Sequence, residues 1–229
     1  MAPKAFSQPG VSRIEEIPAD VAQEAATDLG AELVGGSEYE AHRIALGVPR
    51  GGVVIAEVIA SCFSCPMDII MARKIGSPDM DEYAIGAVAP DGGVLIHERV
   101  LQLLDTDRQT IDRMAMEVLR QIEKSLLYYR KNRPEVSLKG KRVLLTDDGI
   151  ATGFTLKAAV RYLKRQDSKR VVIAAPVSAR NAYLDLREEV DEIIVLEIPE
   201  RFYAVSQFYE DFSTVEDTEV IGILKRNQA

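Results

Sequence analysis

The stretch VLLTDDGIATGFT, residues 143–155, is the most informative part of this 229-residue chain. Its aliphatic start predicts a buried strand, which ends in two adjacent carboxylates, Asp147 and Asp148. A loop of small residues and threonines follows, and a helix is expected to begin near Phe154. Because burying an unpaired carboxylate is costly, the two aspartates indicate a site that holds a cation or a group rich in hydroxyl donors.

The segments after this stretch alternate regularly between two hydrophobic periods. Strands are predicted at 142–147, 170–176 and 192–197, and helices at 155–166 and 179–189. Such alternation is typical of right-handed βαβ units. The sequence therefore predicts an α/β fold with a mostly parallel sheet flanked by helices.

The segments before the stretch extend the same pattern and add a hairpin. The predicted elements are a strand at 42–48, a helix at 53–61, a strand at 67–72, a hairpin at 83–97 and a helix at 107–131. We expect one domain over residues 1–229. Within it we expect a poorly ordered segment at 1–17, a first helix at 18–33, and a small hood formed by the N-terminal part and by a tail over 198–229.

Composition limits the classes of partner. The net charge of −8 argues against a protein that is covered broadly by nucleic acid. No apolar run approaches the roughly 18 residues that span a membrane, and the N-terminus lacks the apolar core of a secretory signal. We therefore expect a cytoplasmic protein that binds neither nucleic acid nor membranes.

Cys62 and Cys65 could form a redox pair or half of a zinc site, but reduced thiols are the favoured interpretation.

Three predicted strands end in residues that carry chemistry. These ends are PRGG at 49–52, ARK at 72–74 and DDGIATGFT at 147–155. In open parallel sheets, ligands bind beyond the carboxyl ends of the strands. If the three ends are neighbours, one crevice contains an arginine-glycine loop, a cationic pair and a carboxylate pair.

The loop after the aspartates has the composition of an anion cradle. The free amides of a helix N-terminus and the hydroxyls of Thr152 and Thr155 can bind a phosphate, and Gly153 allows close approach of the backbone. Neither the P-loop lysine nor the G-x-G-x-x-G dinucleotide fingerprint is present. Asp147 and Asp148 could accept bonds from vicinal hydroxyls, as on a ribose, or orient water around Mg²⁺. The alternative is an ordinary turn and helix cap without a ligand.

The stretch 143–155 resembles the thirteen-residue signature for phosphoribosyl pyrophosphate (PRPP) in type I phosphoribosyltransferases. This resemblance implies that Asp147 and Asp148 bind the ribose hydroxyls and contact Mg²⁺ indirectly, through water and the ribose. It also implies that the 5′-phosphate is held by five consecutive residues, Ala151, Thr152, Gly153, Phe154 and Thr155. As a whole, the chain most resembles the bacterial predicted phosphoribosyltransferase group, and a homodimer is implied.

The same resemblance assigns roles to the weaker motifs. PRGG falls where the family has its pyrophosphate loop, which assigns Arg50, Gly51 and Gly52 to the leaving group. Arg73 and Lys74 are similar to a pair that contacts pyrophosphate, and the resemblance gives them the catalytic role as well. The hairpin at 83–97 falls where the family has a mobile active-site loop. Without the signature, PRGG could be a plain turn and Arg73-Lys74 a solvated strand end.

The stretch IPERFYAVSQFYEDFS, residues 198–213, contains five of the fourteen aromatic residues of the chain. It is similar to a segment of the 6-oxopurine phosphoribosyltransferases in which an aromatic ring stacks on the purine. This similarity makes Phe202 and Tyr203 candidates for stacking on the acceptor base, and it makes Glu210 or Asp211 a candidate metal contact. A small satellite core is the alternative.

Together these features predict an enzyme: a Mg²⁺-dependent phosphoribosyltransferase that moves 5-phosphoribosyl from PRPP to a nitrogenous base and releases pyrophosphate. A purine is one candidate acceptor. The 6-oxopurine enzymes carry an acidic general base where this chain has Ala151, so the signature supplies no obvious base. The runner-up is a regulatory protein that senses PRPP without catalysis.

Overall fold

A computed structural model describes residues 43–76, 84–97, 107–131, 133–209 and 212–227. The expectations for 1–17 and 18–33, and the candidate metal contacts Glu210 and Asp211, lie outside these ranges. The strands are β1 (Arg43–Gly47), β2 (Met67–Ile69), β3 (Arg73–Gly76), β4 (Ala84–Val88), β5 (Val94–Ile96), β6 (Arg142–Thr146), β7 (Arg170–Val177) and β8 (Glu192–Glu197). The helices are α1 (Gly51–Phe63), α2 (Arg108–Arg130), α3 (Phe154–Arg165), α4 (Arg180–Arg187) and α5 (Asp217–Arg226), and a 3₁₀ turn spans Val205–Phe208.

Five parallel strands form the main sheet in the order β2-β1-β6-β7-β8. Both faces of this sheet are covered, which explains why its central strands are nearly continuous aliphatic runs. Leu144 packs with α1, α2 and α5, whereas its neighbours Val143 and Leu145 pack with α3 and α4. The predicted α/β class and the mostly parallel sheet are confirmed.

A second, antiparallel sheet of order β3-β4-β5 contains the predicted hairpin. One part of the strand prediction is wrong. The strand predicted at 67–72 ends at Ile69, and Arg73 and Lys74 begin β3 of this second sheet rather than ending a strand of the first. Residues 70–72 are buried although they belong to no strand. Hydrophobicity alone could not distinguish this buried connection between the two sheets from a continuous strand.

Residues 84–97 are part of the packed body of the protein rather than a free loop. Arg165 of α3 forms two short hydrogen bonds, 2.7 and 2.8 Å, with the carboxylate of Asp91 at the tip of the hairpin. At the other end of the hairpin, the ring of His97 stacks on Phe154 with centroids 4.8 Å apart. The preceding residues 77–83 lie outside the described ranges.

Among the residues that the structure describes, no helix is both long enough and apolar enough to cross a membrane. The longest helix, α2, carries charged side chains along its length and buries only one face, through Ile111, Ala115, Ile122 and Tyr129.

Candidate active site

The PRGG loop lies directly against the end of β6. The amide of Val48 donates to the carbonyl of Thr146 at 2.9 Å, and the Thr146 hydroxyl donates to the carbonyl of Gly52 at 2.7 Å. A Cβ atom at Gly52 would lie 2.5 Å from the Thr146 carbonyl oxygen, and one at Gly51 would overlap the Asp148 carboxylate. Only glycine fits both positions, because any side chain would separate the loop from the aspartates. The peptide bond between Pro49 and Arg50 is cis.

Asp147 and Asp148 lie together at this edge of the sheet with little compensating charge. The backbone amide of Asp148 donates to Oδ1 of Asp147 at 3.0 Å. Burial raises the pKa of both carboxyl groups, and repulsion from Asp148 raises the pKa of Asp147 further, while Lys74 opposes the shift. An arrangement that disfavours its own ionised form is suited to a ligand that brings hydroxyl donors or positive charge.

The segment after the aspartates is fixed by backbone bonds to β7 and its end. The amide of Ile150 donates to the carbonyl of Val177 at 2.9 Å, and the Ile150 carbonyl accepts from Ala179 at 2.8 Å. Gly153 directly precedes α3 with a φ of +70°, a conformation that residues other than glycine adopt only at a cost, and no side chain caps the helix there. The first helical amides, beginning at Phe154, have no partner within the helix and are available to an anion.

Arg73 and Lys74 point to opposite faces of β3, as neighbours in a strand must. Lys74 is close enough to the aspartates to lower the pKa of Asp147. Arg73 instead faces α2, where its Nη2 donates to Ser125 Oγ at 3.0 Å. Of the two cations, Lys74 is therefore the one whose charge acts on Asp147, whereas Arg73 is bonded to α2.

Arg50 and Arg73 line one open cleft of about 820 Å³ between the PRGG loop and α2. Arg50 Nη1 lies 3.8 Å from the carboxylate of Asp217, and the Tyr129 hydroxyl donates to the same Oδ1 atom at 2.6 Å. Burial and the Asp217 carboxylate raise the pKa of Tyr129 to about 12. Sequence reasoning missed Asp217 and Tyr129, because neither residue belongs to a motif.

The aromatic C-terminal stretch reaches the aspartates through a residue that the sequence did not single out. The hydroxyl of Tyr209 donates to the backbone carbonyl of Asp148 at 2.5 Å, and Val205 packs against Gly149. Burial and the two nearby carboxylates raise the pKa of Tyr209. Its membership of the aromatic cluster was the only signal in the sequence.

The two candidate stacking residues differ in their surroundings. Phe202 packs on the fully buried Phe208, with ring centroids 5.4 Å apart, as the satellite-core alternative requires. Tyr203 leaves 84% of its surface exposed. Part of the aromatic cluster is therefore a small core, and Tyr203 is the member of the pair that solvent reaches most freely.

Within the described ranges, no group of three or more His, Cys, Asp or Glu side chains could hold a metal ion. Two adjacent carboxylates nevertheless suit Mg²⁺, which keeps several waters and takes its remaining ligands from phosphate and hydroxyl oxygens.

Cys62 is exposed and Cys65 is partly buried, and burial raises the pKa of the Cys65 thiol. This shift is opposite to that of a reactive or metal-bound cysteine.

Comparison with known proteins places this geometry in a family context. The sequence model of the family described as "Phosphoribosyl transferase domain" matches residues 20–213. The "Putative phosphoribosyl transferase Rv0571c" of Mycobacterium tuberculosis (strain ATCC 25618 / H37Rv) is 32% identical over 183 residues, which are 80% of this chain and 41% of that protein. The chain thus spans about two fifths of the length of the curated relatives it matches.

Two solved structures have a similar fold. The protein TT1426 from Thermus thermophilus superposes with a TM-score of 0.75 at 32% identity, covering 91% of this chain and 98% of that one. The AQ2163 protein from Aquifex aeolicus gives a TM-score of 0.51 at 14% identity, covering 83% of this chain and 78% of that chain, and shows likeness of fold alone.

Proposed function

The chain belongs to the phosphoribosyl transferase domain family, and from this membership we propose that it transfers the 5-phosphoribosyl group of PRPP to a nitrogenous base and releases pyrophosphate. The contact between the PRGG loop and the Asp147-Asp148 pair carries this proposal. A loop for the leaving group and a carboxylate pair for the ribose must be neighbours, because the bond that breaks joins the ribose to the diphosphate.

The aspartates would bind the ribose of PRPP. Vicinal hydroxyls donate to carboxylates, and such donors would lower the cost of ionising a buried pair whose pKa values are raised in the free protein. The 5′-phosphate would occupy the N-terminus of α3 and the loop from Ala151 to Thr155, which holds the sugar in one orientation. Mg²⁺ bound to the diphosphate and ribose oxygens would offset negative charge on the leaving group.

The leaving group would be stabilised mainly by Lys74 and by the amides of Gly51 and Gly52. Arg50 and Arg73 are also available, but each has a partner in the free protein, Asp217 and Ser125 respectively. These pairs are partly exposed and cheap to break, so either arginine could turn towards a diphosphate.

The acceptor would attack C1 of the ribose with a ring nitrogen. Tyr203 and Phe202 remain candidates for stacking on a flat base, with Tyr203 the more accessible. Alanine at position 151 offers no proton acceptor, so we propose an acceptor whose nucleophilic nitrogen carries no proton to be removed before attack, or one deprotonated by a residue outside the signature.

Calorimetric titration of PRPP with Mg²⁺ tests the binding site. We expect saturable binding to the wild-type protein and at least a tenfold weaker affinity in the double variant Asp147→Asn/Asp148→Asn. The control variant Asp185→Asn/Glu188→Gln removes two exposed carboxylates, one in α4 and one directly after it. It should bind PRPP like wild type. Absence of binding to a folded wild-type protein would overturn the proposal.

A screen of bases for pyrophosphate release then separates an enzyme from a PRPP sensor. The pairing of Arg50 with Asp217 is the observation that favours a sensor, because it occupies a cation that catalysis would use. Release of pyrophosphate with one class of base, abolished in the same double variant, would identify the acceptor. Tight PRPP binding without release for any base would favour the sensor.

A further inference from the structure

A second cleft, of about 710 Å³, lies at the end of the main sheet that is opposite the candidate active site. Pro66, which precedes β2, and Lys141, which precedes β6, place it at the amino ends of the strands. Its other walls are the end of α2 with the segment that follows, and the last turns of α5. The candidate active site is at the carboxyl ends of the same strands, so the two clefts open at opposite ends of the sheet and, among the described residues, share only Tyr129 in their lining.

The charge of this cleft contrasts with that of the whole chain. The chain has a net charge of −8. Five cationic side chains line the cleft, against the single acid Glu135, which pairs with Arg130 at 3.4 Å. The cations are Arg130, Lys131, Arg133, Lys141 and Lys225. A concentration of positive charge on an acidic protein costs stability through repulsion, and a bound anion would relieve that repulsion.

Arg130 is neutralised by carboxylates, since it also pairs with the buried Asp68 at 3.1 Å, but the other four cations of the cleft have no such partner in the described part of the chain. Arg133 donates to the carbonyls of Met67 at 2.7 Å, Leu224 at 2.9 Å and Asn227 at 3.3 Å. These carbonyls fix the guanidinium but do not cancel its charge. Across the described ranges, Lys131, Lys141 and Lys225 form no ion pair. One rigid cation and three lysines thus face the same space.

The rest of the lining is apolar. Pro134, Val136, Ile221 and Leu224 line the cleft together with Tyr129. A cavity of a few hundred cubic ångströms with a mainly apolar lining and a few convergent charged groups suits a small organic ligand better than a polymer. The cleft therefore combines anion recognition with an apolar contact surface.

We propose that this cleft binds a small organic polyphosphate of the nucleotide type, with the phosphates on the lysines and Arg133 and the organic group on the apolar lining. Tyr129 lines both this cleft and the one beside Arg50. The proposal does not depend on the transferase activity, because no residue assigned to PRPP contributes to the cleft.

ATP without metal is a suitable probe, and calorimetric titration at low ionic strength measures its affinity. Lys141→Gln and Lys225→Gln each remove one positive charge from the cleft. We expect each variant to bind ATP roughly threefold or more weakly, because charge-assisted bonds to phosphate are lost. The control Lys164→Gln removes one exposed charge of α3 that is not part of the cleft, and it should bind like wild type.

A fourth variant, Lys74→Gln, identifies binding at the candidate active site. If ATP occupies the basic cleft, this variant binds it unchanged. Weakening by Lys74→Gln with no effect of Lys141→Gln or Lys225→Gln would overturn the proposal by placing ATP at the PRPP site. Equal weakening by Lys164→Gln would reduce the interaction to nonspecific attraction, and absence of binding to wild type would also overturn the proposal.

Discussion

The α-carbon of Gly51 lies so close to the carboxylate of Asp148 that a Cβ atom added to Gly51 would overlap a carboxylate oxygen. The two residues come from motifs that are distant in the sequence, PRGG at 49–52 and the aspartate pair after β6. Their contact turns two separate patterns into one site. It also means that the shape of the loop and the position of the carboxylate cannot change independently.

Gly51→Ala should therefore displace Asp148 rather than simply stiffen the loop. We expect PRPP affinity to fall at least tenfold, because the methyl group occupies the place of the carboxylate. Calorimetric titration measures the affinity, and circular dichroism checks that the variant is folded. The matched control is Gly76→Ala, where, apart from the adjoining residues, no atom of the described part of the chain lies within 4 Å of the added methyl group. If Gly51→Ala binds PRPP as tightly as wild type does, Asp148 is not a ribose ligand.

The aspartate pair should lower the stability of the free protein at neutral pH. A carboxyl group whose pKa is raised on folding stabilises the folded state below its unfolded pKa, and that contribution is lost as pH rises through the folded pKa. Both Asp147 and Asp148 are of this kind. Asp147→Asn, which imitates the protonated carboxyl, should raise the free energy of unfolding at pH 7 by about 1 kcal/mol or more. The gain should shrink towards pH 4.

Urea titrations at pH 7 and at pH 4 measure the free energy of unfolding, and Asp91 supplies a control of opposite sign for them. The hydrogen bonds with Arg165 lower the pKa of Asp91. The contribution of Asp91 to the stability of the folded state is therefore present above its unfolded pKa, and it is lost as pH falls through the folded pKa. Asp91→Asn should therefore destabilise the protein at pH 7, and its deficit should also shrink in acid. An Asp147→Asn variant that is less stable than wild type at pH 7 would contradict the assignment of a raised pKa.

The sequence predicted the parts of the site that depend on local pattern. The strand and loop at 143–155 and the glycines of PRGG follow from hydrophobic period and residue type. The path of residues 70–72 could not be predicted in this way, because a buried connection between two sheets has the same apolar composition as a strand. The partners of Arg50 and Asp148 were also out of reach, since Asp217 and Tyr209 meet them only through tertiary packing.

The pairing of Arg50 with Asp217 predicts a variant with increased affinity. If Arg50 contacts the diphosphate, it must leave Asp217, and the carboxylate competes with the ligand. Asp217→Asn should then tighten the binding of PRPP or pyrophosphate about two- to fivefold, as expected for a partly exposed ion pair. Calorimetry in low salt measures the difference. The control is Glu216→Gln, a loss of the same charge one residue earlier.

If Asp217→Asn and Glu216→Gln raised the affinity for PRPP or pyrophosphate equally, only the overall electrostatic field of the protein would have changed. Unchanged affinity in Asp217→Asn would show that Arg50 does not reach the diphosphate. Binding would then depend on Lys74 and the loop amides. The double variant Arg50→Gln/Asp217→Asn separates these cases, since it should lose the gain of Asp217→Asn only if Arg50 is the contact.

Phe202 and Tyr203 should respond differently to truncation, which tests whether the aromatic segment serves a core or a ligand. Phe202 packs on the buried Phe208, so Phe202→Ala should lower the free energy of unfolding by about 1–3 kcal/mol. Tyr203 is 84% exposed, so Tyr203→Ala should leave stability within about 0.5 kcal/mol of wild type. If Tyr203 stacks on the acceptor, the same variant should raise KM for the base several-fold and leave PRPP affinity unchanged. An unaltered KM would exclude Tyr203 from the acceptor site, because a ring that contacts the base cannot be removed without weakening its binding.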